Sequence, residues 1–227
     1  MKPCRVGFFD SGVGGRCILE AFQRLCPAAK TLYIADSAHC PYGNRSPEEI
    51  IRLSEAIVRK LLRRGCGMIV VACNTATAAA IDYLRAKYPR VPFVGIEPAI
   101  KPAAQRSASR IIGVLATAGT FNGRLYNETR ERFAKNVTVI AAIADEFVQL
   151  VERGETSGAR VERIVRAKVE PLLKAGADRI VLGCTHFPHL RSVIEAVCGG
   201  RAEVIDSCEA VARQAKRVFD GLMEESR

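Results

Sequence analysis

Two cysteines stand in look-alike settings. Met68-Ile69-Val70-Val71-Ala72 leads into Cys73-Asn74-Thr75, and Arg179-Ile180-Val181-Leu182-Gly183 leads into Cys184-Thr185-His186. Each is an apolar run ending in a small residue, a Cys and a polar residue. A second echo lies upstream, in Val6-Gly7-Phe8-Phe9-Asp10-Ser11 and Ile112-Gly113-Val114-Leu115-Ala116-Thr117. Cys184 follows Cys73 by 111 residues and Gly113 follows Gly7 by 106. Two echoes at nearly one offset predict two halves built alike, each carrying one thiol at the same place. A thiol has a pKa of about 8.5 and can be tuned to act as acid or base near neutral pH. Two such groups on opposite sides of one carbon are what stereoinversion requires: a thiolate removes the proton and a thiol returns another to the opposite face.

The surrounding residues suit that chemistry. In open parallel sheets ligands bind beyond the carboxyl ends of strands, beside helix N-termini. Cys73 and Cys184 both fall at such ends, where amides and the helix dipole favour a thiolate or a bound carboxylate. Asn74 and Thr75 are capping types with spare polar atoms, and Pro188 suits the first turn of the element after Cys184. His186 is placed to assist Cys184 or to bind a carboxylate. Asp10, at the end of the first strand, could orient an ammonium or share in the proton inventory of Cys73.

Other chemistries fit less well. Gly12-Val13-Gly14-Gly15, with Asp36 closing the second strand, suggests a dinucleotide loop, but Cys17 holds the sixth position of the G-x-G-x-x-G pattern, and no G-K-[ST] is present. Cys184, His186 and His189 match no standard metal spacing. A Cys–His hydrolase leaves the second thiol without a role.

The elements that must position these groups alternate. Strands are expected at 4–9, 31–35, 67–72, 91–95, 111–115, 137–142, 178–182 and 202–206. Helices are expected between them, including 15–25, 47–64 and 75–88, with a long loop from Asp36 to Pro47. Ser46-Pro47-Glu48-Glu49 reads as a helix start, with a cap, Pro at the first position and acids in the first turn. Strands alternating with helices imply an α/β fold with parallel sheets. The repeat places a boundary near 95, and Pro98 and Pro102 flank the crossover.

Composition agrees. The 227 residues are 48% hydrophobic, and no apolar run approaches the ~18 residues of a membrane span. The start, Met1-Lys2-Pro3-Cys4-Arg5, lacks the apolar stretch of a signal peptide, so a cytoplasmic protein is expected. The nine Cys are unevenly spaced and never form C-x-x-C, which suggests neither a disulfide framework nor a zinc knuckle. The net charge of +10 raises nucleic acid as a partner. Arg160, Arg163 and Arg166, however, recur at helical spacing beside Glu152, Glu155 and Glu162, which reads as a solvated helix face.

Taken together, Phe9-Asp10-Ser11-Gly12-Val13-Gly14-Gly15, Pro41-Tyr42-Gly43-Asn44-Arg45-Ser46, Ala72-Cys73-Asn74-Thr75-Ala76, Gly95-Ile96-Glu97-Pro98-Ala99-Ile100-Lys101-Pro102, Gly183-Cys184-Thr185-His186-Phe187-Pro188 and Val204-Ile205-Asp206-Ser207 resemble the glutamate racemases of the aspartate/glutamate racemase superfamily. Thr185-His186 after the second Cys resembles the glutamate branch rather than the aspartate one. The resemblance implies two similar parallel-sheet α/β domains related by pseudo-twofold symmetry, with the active site at their interface. The first would comprise 1–95 plus 206–227 and the second 96–205. It implies a cofactor-independent racemase, with no metal, supplying D-glutamate for peptidoglycan. Carried over, Cys73 is the base toward D-glutamate and Cys184 toward L-glutamate, assisted by Asp10 and His186. Asp10, Ser11, Pro41, Tyr42, Gly43, Asn74, Thr75, Thr185 and His186 are the implied substrate contacts, Thr117 is a further implied contact, and Glu152 resembles an acid near the second Cys. The implied assembly is a homodimer. No N-terminal extension is present, so activation by a nucleotide precursor is not expected. Alternatives are racemisation of another amino acid such as aspartate, decarboxylation with one active Cys, or a catalytically silent member acting on nucleic acid or DNA gyrase.

Overall fold

A computed structural model describes residues 5–224. The first four residues, on which the signal-peptide reading rests, and the last three lie outside the described residues. The order is β1 (Arg5–Asp10), α1 (Arg16–Leu25), β2 (Thr31–Ala35), a 3-10 turn (Ser37–His39), α2 (Pro47–Arg63), β3 (Cys66–Val71), α3 (Asn74–Lys87) and β4 (Phe93–Gly95). Then follow α4 (Ile100–Arg106), β5 (Ile111–Ala116), α5 (Ala118–Phe121), α6 (Arg124–Phe133), β6 (Thr138–Ile143), α7 (Asp145–Glu152), α8 (Ala159–Lys174) and β7 (Arg179–Leu182). A 3-10 turn (Phe187–Leu190), α9 (Arg191–Cys198), β8 (Glu203–Ile205) and α10 (Cys208–Glu224) complete the chain.

The chain divides into two compact units, one running to Ile96 and resuming at Cys208, the other spanning Glu97–Ser207. The expected boundaries stood at 95/96 and 205/206. Each unit holds one four-stranded parallel sheet, ordered β2-β1-β3-β4 in the first and β6-β5-β7-β8 in the second. Renumbered within its unit, each sheet reads 2-1-3-4, so the two α/β units share one topology. The chain moves to one side of the first strand and then crosses to the other. The carboxyl ends of β1 and β3, and of β5 and β7, therefore flank a topological switch point, where open α/β sheets bind ligands.

Local chemistry explains the elements. The central strands are apolar on both faces, as helix-covered parallel strands must be: Val6, Phe8 and Phe9 on β1 and Ile112, Val114 and Leu115 on β5 have no exposed surface. Ser46 caps α2 by accepting from the Glu49 amide at 3.2 Å, with Pro47 at the first helical position. β4 starts two residues later than expected because the Val91 amide bonds the Tyr88 carbonyl at 2.9 Å, which keeps that residue in the turn leaving α3. The echoed glycines answer to packing. A Cβ on Gly113 would sit 2.7 Å from Leu172 Cδ1 of α8, and one on Gly7 would sit 3.1 Å from Leu61 Cδ1 of α2. The same helix-to-strand approach is thus made in both units.

One further expectation is modified. Cys17 is disulfide-bonded to Cys208, which an irregular cysteine spacing did not suggest because the partners lie at opposite ends of the chain. On α8, Arg166 pairs with Glu162 at 2.6 Å and Arg160 pairs with Glu155, so much of that charge is neutralised locally. Among the described residues no helix is long and apolar enough to cross a membrane.

Asp178, just before β7, fastens the loop that enters β5. Its carboxylate accepts from Ser107 Oγ (2.7 Å) and from the Ala108 (2.6 Å) and Ser109 (3.0 Å) amides. Burial pushes its pKa up, but these donors and the nearby Arg179 outweigh burial, and the net shift is downward. A carboxyl lowered in the folded state contributes stability above its unfolded pKa of about 3.9, and that contribution is lost as pH falls through the folded value. Asp178→Asn should therefore lower unfolding free energy by about 1–2 kcal/mol at pH 7, with the deficit shrinking as the pH is taken toward 2. Urea titrations across that range check this; a deficit independent of pH contradicts the assignment.

Candidate active site

In the first unit the switch point carries Asp10, Ser11, Cys73, Asn74 and Thr75, all buried. Asp10 ends β1 with no exposed surface. Its Oδ1 accepts from the Ser11 amide at 2.6 Å and its Oδ2 from the Gly15 amide, also at 2.6 Å. The glycine-rich turn thus wraps a carboxylate of its own chain, and two amides that a phosphate would need are already engaged. Gly15 cannot carry a side chain here, since a Cβ would lie 2.7 Å from the Ala72 carbonyl oxygen.

Cys73 is the N-cap of α3, and its sulfur accepts from the Ala76 amide at 3.5 Å. Amide donation at a helix N-terminus favours the thiolate. The Ser11 hydroxyl stands between acid and thiol: Cys73 Sγ can donate to Ser11 Oγ at 3.7 Å, and Ser11 Oγ can donate to Asp10 Oδ1 at 3.3 Å. A proton leaving Cys73 therefore has a route toward Asp10. Asn74 Oδ1 is buried without a hydrogen-bond partner among the described residues. A buried acceptor left unmet costs about 1–3 kcal/mol, so this oxygen is suited to a donor on a bound molecule.

The loop after β2 contributes Pro41, Tyr42 and Gly43. Tyr42 is 1% exposed, and its hydroxyl donates to Asp36 Oδ2 at 2.6 Å. Burial, the bond to Asp36 and the charges of Asp36, Cys73 and Asp10 all push its pKa far above the usual tyrosine value. It remains a neutral phenol close to Cys73 and Asp10. Asp36, read from sequence only as a candidate ribose ligand, instead anchors this loop, also meeting His39 Nδ1 at 2.9 Å. The nearby turn residues Ser37, His39 and Asn44 gave no signal of that role.

The second unit repeats the place but not the chemistry. Cys184 follows β7 as Cys73 follows β3, and Thr117 follows β5 as Ser11 follows β1. No acid occupies the Asp10 position, where Ala116 stands, and Thr117 Oγ1 pairs with Thr120 Oγ1 at 3.0 Å. Cys184 Sγ lies 3.7 Å from His186 Nδ1, and His186 Nε2 lies 2.6 Å from Glu152 Oε1 at the end of α7. His186 is 1% exposed. Thr185 is buried between the thiol and this imidazole in sequence. A carboxylate holding one ring nitrogen directs the other toward its partner and stabilises the protonated ring. Here the partner is a thiol, so the imidazole can take its proton. Glu152 stood out in the sequence only by resemblance, because nothing about Val151-Glu152-Arg153 marks it as chemical.

Residues 16–215 match the model of the Asp/Glu/Hydantoin racemase family. The chain is 47% identical over 219 residues to a glutamate racemase of Herpetosiphon aurantiacus, covering 96% of this chain and 86% of that protein. The chain belongs to the glutamate racemase family. Its fold agrees with solved members. It is 34% identical to the Escherichia coli glutamate racemase described in complex with L-glutamate and the activator UDP-MurNAc-Ala, with a TM-score of 0.88 over 96% of this chain and 82% of that one. Against the glutamate racemase isoform RacE1 of Bacillus anthracis the identity is 31% and the TM-score 0.87, over 97% and 83% of the two chains. Within this racemase frame the two thiols are supported differently, one by a helix N-terminus and a serine relay, the other by a histidine–glutamate pair.

That difference is measurable in the resting protein. Glu152→Gln keeps a hydrogen-bonding group beside His186 but removes the charge that stabilises imidazolium. Iodoacetamide alkylation of Cys184 at pH 7, followed by peptide mass mapping, should slow by about tenfold or more, on the scale of a lost charge-assisted bond, while Cys73 is alkylated at its wild-type rate. Equal slowing of both thiols contradicts a Glu152–His186 pair dedicated to Cys184.

Proposed function

We propose that this racemase interconverts L- and D-glutamate by two-base proton transfer, with Cys73 and Cys184 as the two bases. The observation that carries the reading is the pair of thiols at equivalent strand ends, each with its own route for a proton. With L-glutamate, Cys184 as thiolate removes the α-proton and Cys73 as thiol protonates the opposite face; with D-glutamate the roles exchange. His186, held by Glu152, is placed to exchange a proton with Cys184. Ser11 and Asp10 offer the matching route for Cys73, whose thiolate the Ala76 amide of α3 favours. Asn74 Oδ1 is suited to the substrate ammonium, while Ser11, Thr75 and Thr185 offer hydroxyls for its carboxylates. Tyr42, between Pro41 and Gly43, supplies a buried neutral phenol near Cys73 and Asp10. No step in this scheme draws on a cofactor or a metal. A role in supplying D-glutamate for peptidoglycan in the cytoplasm completes the reading and rests on the family.

Replacing either Cys73 or Cys184 by Ser should lower racemisation by at least about 10²-fold, the low end for a positioned acid or base. Chiral separation of L-glutamate and L-aspartate after incubation with purified protein reads both the loss and the substrate. The mechanism has a sharper test in a glutamate analogue with a leaving group on Cβ, whose elimination needs only the base. Cys73→Ser should retain elimination from the L-analogue and Cys184→Ser from the D-analogue. Two variants that keep the same enantiomer, or one that racemises at full rate, would sink the two-thiol scheme.

The assembly proposed with this function is a homodimer, on the resemblance alone. Sedimentation equilibrium at micromolar protein should return about twice the chain mass of 24.7 kDa; a monomer that racemises at full rate contradicts it.

A further inference from the structure

Outside the catalytic groups, one pair of reactive side chains is brought together by the fold. Cys17 lies in the first turn of α1 and Cys208 opens α10, with their Cα atoms 6.0 Å apart at a sequence separation of 191. That separation lies within the range of an unforced disulfide. The placement is determined by the packing of the two helices rather than by the sulfurs. Ala21, Ala212 and Ala215 are buried where the helices approach, and Phe22 meets Phe219 edge to face at 6.0 Å. Arg24 of α1 pairs with Glu209 of α10 at 2.6 Å. With these contacts in place the two sulfurs meet whether or not they are bonded.

We propose that Cys17–Cys208 is a reversible staple, open as two thiols under reducing conditions and closed by a low-molecular-weight disulfide, and that its closure governs resistance to unfolding rather than racemisation. Reversibility fits the rest of the chain. Cys73 and Cys184 must be free thiols for the proposed reaction, a point that rests on that reading. Conditions reducing enough to keep them free also act on the staple. Cys17 is half-buried whereas Cys208 is 7% exposed, so Cys17 is the thiol a small disulfide reaches first. Its thiolate attacks one sulfur of that disulfide, forming a mixed disulfide and releasing one small thiol. The Cys208 thiolate then attacks the Cys17 sulfur and expels the second. The two protein thiol protons end on the two small thiols, and two electrons pass to the oxidant.

The energetic consequence lies in the unfolded chain. The closed loop takes in the whole of the second unit, and cross-linking a loop that long removes much of the freedom of the denatured ensemble. Cys208 belongs to, and Cys17 packs against, the apolar cluster shared by β1, α1 and α10. Cys17 lies two residues past Gly15, so the closure borders the turn around Asp10 without entering it.

The test uses the full chain equilibrated with oxidised glutathione or with dithiothreitol, then alkylated, digested and mapped by mass. After glutathione disulfide, the Cys17 and Cys208 peptides should be linked to each other. After dithiothreitol, both should be alkylated. The closed form should melt about 5–15 °C higher than the open form. Cys17→Ser and Cys208→Ser should each melt with the open form and lose the response to oxidant. Racemisation by the closed and open wild-type forms at 25 °C should agree within about twofold. Alkylation of both residues after glutathione disulfide, a link from either to another cysteine, or equal melting of the two forms would overturn the proposal. The mapping and melting results stand independently of which amino acid is racemised.

Discussion

A carboxylate with no exposed surface organises the candidate site of the first unit. Asp10 sits at the end of an apolar strand, where an unpaired charge would be prohibitive. It is tolerated because each oxygen receives a backbone amide at 2.6 Å, from Ser11 and from Gly15. Those two bonds set the shape of the turn between β1 and α1. The turn in turn places the Ser11 hydroxyl within reach of Cys73 and brings Gly15 so close to Ala72 that no side chain fits. Catalytic geometry and backbone geometry are therefore the same constraint. Removing the charge would release the turn, the hydroxyl and the thiol's neighbour together.

The second unit solves the same problem with other materials. Its first strand ends in Ala116, so no internal anion shapes the following turn. Polarisation of Cys184 comes instead from beyond its own strand, through His186 and the last residue of α7. The two units share the sheet order, the glycine on the first strand and the position of the thiol after the third. They do not share the groups beside the thiol, because packing imposes nothing on them.

This contrast explains how much was legible in the sequence. The α/β class, the alternating elements and the matched strands showed in the apolar runs at Val6–Phe9, Ile112–Leu115, Ile69–Val71 and Ile180–Leu182, where burial on both faces leaves little choice of residue. The α2 start was explicit in Ser46-Pro47-Glu48-Glu49. Cys73, Cys184, Asp10 and His186 stood out because polar residues at strand ends interrupt those runs. What stayed hidden depends on contacts distant in sequence. Asp36 as the anchor of Tyr42 and Cys17 as the partner of Cys208 become visible only once the loop after β2 and the returning α10 are placed. Glu152 lies on an ordinary amphipathic helix, and its role is conferred by His186, 34 residues away.

Unequal support for the two thiols need not favour one enantiomer. L- and D-glutamate have equal free energies in water, so kcat/KM must be the same in both directions whatever the protein does to either base. The surroundings of the bound substrate are built from L-residues and are not mirror images of each other. The same carbon therefore meets a different field on each face, and identical bases would present unequal barriers for the two proton transfers. In the proposed reaction, separate devices, an amide-capped thiol with a serine relay for Cys73 and a histidine–glutamate pair for Cys184, allow each barrier to be lowered independently. Asymmetry at the level of side chains is then the means by which a duplicated fold can carry out a reaction that is symmetric at equilibrium.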